Sequence, residues 1–130
     1  MTDPDAPCVL LVDDDPVIVR LLDVNFRLGG FKVEGAFRGE EALEKAHALH
    51  PDAIVLDVMM PGLDGYEVCA RIREDPELAT VPVFFLTARA QDDDVARGYA
   101  LGVVDYVTKP FDPELLVNAV QIAIGRGNPP

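Results

Sequence analysis

The sequence has few cysteines, little positive charge and no long apolar run, and each shortage excludes a class of protein. Lys and Arg number 11 against 23 Asp and Glu, so the formal net charge is −12. A surface this negative repels phosphate backbones, and we expect no direct binding of DNA or RNA by this segment. Two cysteines, Cys8 and Cys69, are too few for a disulfide framework or a cysteine-based metal knuckle. They are most simply two buried thiols in a cytoplasmic domain.

No apolar run approaches the roughly 18 residues of a membrane-spanning helix, and the acidic start, MTDPD, does not resemble a signal peptide. We therefore expect a cytoplasmic protein with no membrane contact. Apolar residues make up 49 % of the chain, which is enough to form a core and excludes a disordered chain. The length fits a single domain over residues 1–130, with its core at about 8–124 and residues 125–130 as a tail or the start of a linker.

Short apolar runs alternate with helical patterns along the whole chain. The expected strands are residues 8–12, 31–37, 53–56, 81–86 and 103–107. The expected helices are residues 16–28, 39–49, 66–74, 91–101 and 113–124. Apolar runs without polar alternation are typical of strands covered on both faces, as in a parallel sheet. Five strands each followed by a helix predict an α/β fold, a flavodoxin-like doubly wound (βα)5 three-layer sandwich with the parallel strand order 2-1-3-4-5.

The first predicted helix has clear start and stop signals. Asp15 followed by Pro16 is an N-cap and first-turn pair, and Gly29-Gly30 ends the helix. Its expected core face is a stripe of four apolar residues at helical spacing: Val17, Leu21, Val24 and Leu28.

Polar side chains stand at the ends of four of the predicted strands. Asp13 and Asp14 follow the first strand, and Asp57 ends the third. Thr87 and Lys109 end the fourth and fifth. Because parallel strands bring their carboxyl ends to one edge, and strands one and three are neighbours at the switch point, we expect the three carboxylates to be crowded together.

Crowded carboxylates repel one another and need a cation or shared protons at neutral pH. A site of oxygen ligands suits Mg²⁺, which keeps several waters and completes its shell with phosphate oxygens. A carboxylate beside such an ion can attack phosphorus and form an acyl phosphate. Thr87 can donate its hydroxyl to a phosphoryl oxygen, and Lys109 can supply a positive charge. Each residue alone has an ordinary explanation at a turn, a cap or the surface, but together they indicate a phosphoryl-transfer site.

Four segments resemble the receiver domains of two-component response regulators: LLVDDD at 10–15, LDVMMPGLDG at 56–65, LTA at 86–88 and DYVTKPF at 105–111. The resemblance covers residues 8–124. It implies that Asp57 accepts a phosphoryl group from a sensor histidine kinase or a histidine phosphotransfer protein. Such a protein is a signalling switch rather than an enzyme, with Mg²⁺-dependent self-phosphorylation and slow autodephosphorylation. The resemblance does not identify the downstream effector.

The resemblance also implies a metal site. Asp14 would bind Mg²⁺ directly and Asp13 largely through water, while Asp57 and the backbone carbonyl of Met59 complete the protein ligands. Mn²⁺ can substitute for Mg²⁺ in such a site.

Further residues match the family's switch. Thr87 and Tyr106 correspond to its hydroxyl and aromatic pair: on phosphorylation the hydroxyl moves towards the phosphoryl group and the ring turns inward. The face made by the fourth helix, the fifth strand and the fifth helix would change as a result. Lys109 would contact the phosphoryl group, and the bond from Lys109 to Pro110 would be cis, the isomer that X–Pro bonds adopt most readily.

The strongest alternative from another class is a small phosphatase of the haloacid dehalogenase type. The segment DDDPV can be matched to the motif D-x-D-x-[TV] of that family, with Asp13 as nucleophile and Thr87 and Lys109 as its further motifs. Those enzymes have a flap and a loose turn after the motif, whereas Pro16 starts a helix at once. That interpretation also leaves Asp57 and the PGLDG loop unexplained. A receiver-like module that docks partners without phosphorylation is a third alternative.

Three other features have ordinary explanations. His47 and His50 lie near the end of the second predicted helix, where we expect surface and capping roles rather than phosphohistidine chemistry. The acidic run at residues 92–94 favours the start of the fourth helix and is expected to be a solvated face. Cys69 falls on the apolar side of the third helix and is expected in the core.

Overall fold

A computed structural model gives the fold of the protein for residues 4–88 and 92–125. Two expectations lie outside these described residues: Gln91 as the first residue of the fourth helix, and the tail after residue 125. The structure describes residues 92–94 by their backbone only, so the expected solvated face of their side chains lies outside it as well. Within the described ranges, no helix is long and apolar enough to cross a membrane.

Strands and helices alternate along the chain, five of each in the described residues. The strands are β1 (Cys8–Val12), β2 (Lys32–Ala36), β3 (Ala53–Asp57), β4 (Val83–Thr87) and β5 (Asp105–Thr108). The helices are α1 (Pro16–Leu28), α2 (Gly39–Leu49), α3 (Gly65–Glu74), α4 (Asp92–Ala100) and α5 (Pro113–Ala123). Every strand pair is parallel, in the order β2-β1-β3-β4-β5. The predicted doubly wound α/β fold and its strand order are confirmed.

The core consists of two apolar layers, one on each face of the sheet. Successive strand residues point to opposite faces, so Leu11 of β1 contributes to one layer and Leu10 to the other. Residues of α1 and α5 complete the first layer, and residues of α2 and α3 complete the second. Strands β3 and β4 are buried along their whole length, as continuous apolar runs predict.

Aspartates fix the starts of three helices at the carboxyl edge of the sheet. Asp15 and Asp112 each accept a hydrogen bond from the backbone N–H two residues further on, at the starts of α1 and α5. Asp64 forms a capping box with Glu67 at the start of α3. Because these caps follow the strand ends, they also fix the loops that carry the polar residues of that edge. The predicted N-cap at Asp15 is confirmed.

The expected core face of α1 is wrong. All four residues of the predicted stripe are 42 to 82 % exposed: Val17, Leu21, Val24 and Leu28. The buried residues of the helix are instead Val19, Leu22 and Phe26. The ring of Phe26 packs edge-on against Phe31, with 5.1 Å between the ring centroids. The helix therefore has two apolar stripes, and the one that contains the large aromatic ring is buried because it fills more of the core.

Two strands begin two residues later than expected. Val103 is buried in front of β5 rather than within it, and the backbone N–H of Val104 donates to the edge of β4 before the ladder begins. Strand β5 ends at Thr108, so Lys109 follows the strand and does not end it. β4 starts only after Pro82, which has no N–H to donate. Of the two cysteines, Cys8 is only half-buried, whereas the other is buried as expected.

The two stripes of α1 predict opposite effects of truncation. Phe26→Ala should lower the free energy of unfolding by about 3–5 kcal/mol, because it removes a buried ring and leaves a cavity. Leu28→Ala, at an exposed residue of the same helix, should change it by no more than about 0.5 kcal/mol. Urea denaturation followed by circular dichroism measures both. Equal losses for the two variants would contradict the observed orientation of the helix.

Candidate functional site

Three carboxylates meet at the carboxyl edge of the sheet and are called here the acidic cluster: Asp13, Asp14 and Asp57. One oxygen of each lies within 4.8 Å of the others. The register explains their proximity, because Val12 of β1 pairs with Leu56 of β3 and the next residue of each chain is an aspartate. Asp13 and Asp57 are only 1 % and 4 % exposed, whereas Asp14 is exposed. The predicted crowding of the three carboxylates is confirmed.

Lys109 brings a positive charge to this cluster. Its Nζ lies 2.9 Å from Oδ2 of Asp13 and 3.7 Å from Oδ1 of Asp57. Its backbone N–H donates to the carbonyl of Thr87 at 2.7 Å, which holds the lysine beside the end of β4. The peptide bond from Lys109 to Pro110 is cis, as the family resemblance implies. Lys109 thus pairs with two of the three carboxylates, and the cluster keeps a negative balance.

Burial and the charge of Asp13 raise the pKa of Asp57 to about 7. The charge of Lys109 and a hydrogen bond from the backbone N–H of Met59 to Oδ1 (3.2 Å) act in the opposite direction. Burial alone would lower the pKa of Lys109, but its hydrogen bond to Asp13 and the charge of Asp57 raise it. The lysine therefore remains a cation, while Asp57 holds a proton more readily than an ordinary aspartate.

The loop after β3 is fixed by a close approach of α3. The N–H of Gly65, the first residue of α3, donates to the carbonyl of Val58 at 2.9 Å. A Cβ on Gly65 would lie 2.6 Å from the carbonyl oxygen of Asp57 and 2.8 Å from Cα of Val58. Only glycine fits there without moving the backbone of Asp57. The sequence pattern did not assign this role to Gly65, although the DG pair at the start of a helix is a signal for it.

Thr87 and Tyr106 lie on the neighbouring strands β4 and β5. Thr87 is buried at the end of β4, one residue beyond Leu86, which pairs with Asp57. Tyr106 pairs with Phe85 of β4, and its ring packs edge-on against that residue with 5.4 Å between centroids. The ring of Tyr106 thus lies against the core. Sequence reasoning identified both residues from their resemblance to the family's switch pair.

The surroundings of the Tyr106 ring include two residues that sequence reasoning missed. The hydroxyl of Tyr106 lies 3.1 Å from the hydroxyl of Tyr66 in α3. A Cβ on Gly98 of α4 would lie 2.0 Å from the same hydroxyl oxygen and 2.6 Å from Cζ of the ring. The guanidinium of Arg97 lies over the Tyr66 ring, 4.3 Å from its centroid. No local sequence pattern could indicate the contact between Tyr66 and Tyr106, because the two residues are 40 positions apart in the sequence.

Comparison with known sequences assigns the family. The model of the response regulator receiver domain matches residues 9–121. The chain is 41 % identical over 120 residues to the DNA-binding dual master transcriptional regulator RpaA of Synechocystis, covering 92 % of this chain and 50 % of that protein. It is 48 % identical over 118 residues to the alkaline phosphatase synthesis transcriptional regulatory protein PhoP of Bacillus subtilis, covering 91 % and 48 %. The chain therefore spans about half the length of these curated relatives.

Solved structures agree. A putative response regulator from Chloroflexus aurantiacus superposes with a TM-score of 0.87 at 38 % identity, covering 94 % of this chain and all of that one. The chemotaxis protein CheY4 of Vibrio cholerae gives 0.86 at 32 % identity, covering 90 % and 98 %. The chain belongs to the response regulator receiver domain family, the signalling switches of two-component systems. The phosphatase alternative fails here, and α1 indeed begins at Pro16 with no intervening flap.

The raised pKa of Asp57 predicts a pH-dependent stability in the absence of divalent cations. The folded state holds a proton on Asp57 up to a pH of about 7, whereas an unfolded chain releases it near pH 4, so stability should fall as the pH rises between these values. Asp57→Asn should remove this dependence and stabilise the protein at pH 7.5 by about 1–3 kcal/mol. Denaturant titrations in EDTA from pH 5 to pH 8 measure the effect. A wild-type stability that rises over this range relative to Asp57→Asn would contradict it.

Proposed function

We propose that Asp57 is the phosphoacceptor of this receiver domain. The observation that carries the proposal is the position of its carboxylate, buried at the end of β3 between two further carboxylates and the amino group of Lys109. A carboxylate oxygen of Asp57 forms a P–O bond while the P–N bond to the donor histidine breaks, and the imidazole leaves. The donor is a sensor histidine kinase or a histidine phosphotransfer protein. Small phosphoryl donors support the same step as self-phosphorylation, and slow hydrolysis of the acyl phosphate resets the domain.

The acidic cluster fits a hard divalent cation, because its donors are carboxylate oxygens within 4.8 Å of one another. We assign Mg²⁺ binding to Asp13, Asp14, Asp57 and the backbone carbonyl of Met59, with Mn²⁺ able to substitute. When bound, the ion would offset the negative charge that carboxylates and phosphoryl oxygens bring together. The Met59 side chain is 74 % exposed, which suits a residue that contributes only its backbone.

Lys109 and Thr87 act on the phosphoryl group from the other side of the site. Lys109 already lies 3.7 Å from an oxygen of Asp57, so its charge faces oxygens added to that side chain. Thr87 ends the strand that pairs with β3, and its hydroxyl can donate to a phosphoryl oxygen. These two residues stabilise the charge of the acyl phosphate and couple its presence to the positions of β4 and β5.

Labelling tests the phosphoacceptor. Wild-type protein incubated with acetyl phosphate and Mg²⁺ should gain one phosphoryl group by intact-mass spectrometry, and Asp57→Asn should gain none. Asp14→Asn should label more slowly, because it removes a carboxylate from the metal site. Asp23→Asn, which changes a half-buried acid that pairs with Arg27 on α1, is the matched control and should behave as wild type.

Two outcomes would overturn the assignment. Labelling that persists in Asp57→Asn and disappears in Asp13→Asn would favour a nucleophile of the phosphatase type. Wild-type protein that takes up no phosphoryl group from acetyl phosphate or phosphoramidate would favour a module that docks partners without phosphorylation.

We further propose that Tyr106 transmits the state of Asp57 to the face formed by α4, β5 and α5. The position of its ring depends on space beside Gly98, and the hydroxyl contact to Tyr66 fixes the depth of the ring. A phosphoryl group that draws Thr87 towards Asp57 would favour this inward position of the ring. The free energy for such a shift is the difference in binding between two states, about 1–3 kcal/mol.

Gly98→Ala tests this switch because the added methyl group occupies the place of the Tyr106 hydroxyl. Beryllofluoride, which stands in for the phosphoryl group on Asp57, should shift amide resonances of wild-type protein both at the acidic cluster and in α4 and β5. In Gly98→Ala the shifts at the acidic cluster should remain and those in α4 should be lost. Tyr66→Phe should weaken the response by only about 0.5–1.5 kcal/mol, the net contribution of one hydrogen bond.

A double variant separates this effect from a change in helix propensity. If Gly98→Ala acts by displacing the ring, adding Tyr106→Ala should change the response of α4 no further. A response of α4 in Gly98→Ala equal to that of wild type would contradict the switch.

We also propose how this domain is placed in a larger protein. We take residues 1–130 as one receiver domain with its core at about 8–124 and residues 125–130 as a tail or linker. The named relatives are transcriptional regulators about twice as long, so the effector of this receiver is proposed to be a further domain or a separate partner. We place the domain in the cytoplasm, where histidine kinases deliver their phosphoryl groups, and assign no nucleic-acid or membrane contact to this segment.

A further inference from the structure

A second cluster of ligand-bearing side chains lies at the amino edge of the sheet, where the helices end. We call it the amino-edge cluster, and its members are His47, His50, Asp75 and Glu77. The two histidines belong to the end of α2, since His47 lies in its last turn and His50 is its C-cap. Asp75 is the C-cap of α3, and Glu77 follows it. None of the four takes part in the proposed phosphoryl chemistry.

The side chains converge across the ends of the two helices. Nδ1 of His47 lies 3.3 Å from Oδ2 of Asp75, and Nε2 of His50 lies 2.7 Å from Oε2 of Glu77. Ligand atoms of His47, Asp75 and Glu77 all lie within 4.8 Å of one another, and the two imidazole rings are 6.2 Å apart. Three ligand atoms, from the end of α2 and the turn after α3, thus face one point on the surface, and His50 adjoins them through Glu77.

The backbone holds this arrangement in place. Oδ1 of Asp75 accepts a hydrogen bond from the N–H of Glu77 at 2.9 Å, which leaves Oδ2 directed at His47. The turn is anchored by buried Leu78, whose N–H donates to the carbonyl of Asp75 at 2.9 Å. Such contacts orient a metal ligand before the ion arrives.

The donor set differs in chemistry from the acidic cluster. Two imidazole nitrogens and two carboxylate oxygens are ligands that Zn²⁺ accepts, whereas Mg²⁺ prefers oxygen alone. Ligand atoms of a tetrahedral zinc site, with bonds of about 2.1 Å, lie roughly 3.4 Å apart. The separation of 3.3 Å between Nδ1 of His47 and Oδ2 of Asp75 matches this spacing, whereas the 2.7 Å contact of His50 with Glu77 has to lengthen when both bind one ion. Exposed ion pairs of the same residues would add little stability by themselves.

We propose that His47, His50, Asp75 and Glu77 bind a divalent transition-metal ion of the zinc type and link the ends of α2 and α3. The site is separate from Asp57, so it does not depend on the phosphoacceptor assignment. Sequence analysis did not find this site, because His47 and Asp75 are 28 residues apart and His50 and Glu77 are 27 apart, and they follow no short metal-binding motif.

Zinc binding is measured by isothermal titration of the protein with Zn²⁺ at pH 7.5 in excess Mg²⁺, which occupies the acidic cluster. Wild type should bind one Zn²⁺ per chain at the amino-edge cluster. His47→Ala and Asp75→Asn should each weaken this binding by about tenfold or more, and the double variant His47→Ala/His50→Ala should abolish it. Zn²⁺ should also raise the melting temperature of wild type but not of the double variant, because a ligand that binds only the folded state stabilises it.

Two control variants locate the bound ion. Asp57→Asn should keep the zinc affinity of wild type, and Cys8→Ser should do the same, since neither residue belongs to the cluster. Zinc affinity and stoichiometry that are equal in wild type and in His47→Ala/His50→Ala would overturn the proposal. Loss of binding in Cys8→Ser with full binding in the histidine variants would overturn it as well.

Discussion

The repulsion between Asp13 and Asp57 is the constraint on which the site of this protein depends. The pairing of β1 with β3 places both carboxylates side by side in a buried position. Lys109 neutralises part of the charge. Burial and the remaining repulsion from Asp13 raise the pKa of Asp57. A cation or a proton can relieve this repulsion, and so could the proposed phosphoryl group with its metal ion.

The same register connects the site to β5. Strand β4 pairs with β3 on one side and with β5 on the other, so Thr87 stands between Asp57 and the strand that holds Tyr106. Lys109 is bonded through its backbone to Thr87 and through its side chain to Asp13. In the proposed switch, a change at Asp57 would reach β5 through a backbone contact and a side-chain contact of Lys109. Whether the Tyr106 ring of β5 can move in response would depend on the space beside Gly98.

The sequence predicted the parts of the structure that follow from local period and strand-end chemistry. Continuous apolar runs and helical spacing define the order of elements, and polar residues at strand ends locate the site, because parallel strands must bring those ends together. Helical spacing did not identify the buried face of α1, because this helix has two apolar stripes. Which stripe is buried depends on the packing of Phe26 against Phe31. It also could not find contacts set by the tertiary fold, such as that of Tyr66 with Tyr106.

Stability alone gives no reason to keep two buried carboxylates side by side. An amide in place of Asp57 would retain hydrogen-bonding capacity without the repulsion, and uncharged groups of similar shape commonly stabilise such positions. The close approach of Gly65 adds a second constraint, since it leaves no room for a side chain against the backbone of Asp57. The protein therefore holds a destabilising acid in a fixed and crowded position. Such a position suits the phosphoacceptor role proposed for Asp57, which an amide could not perform.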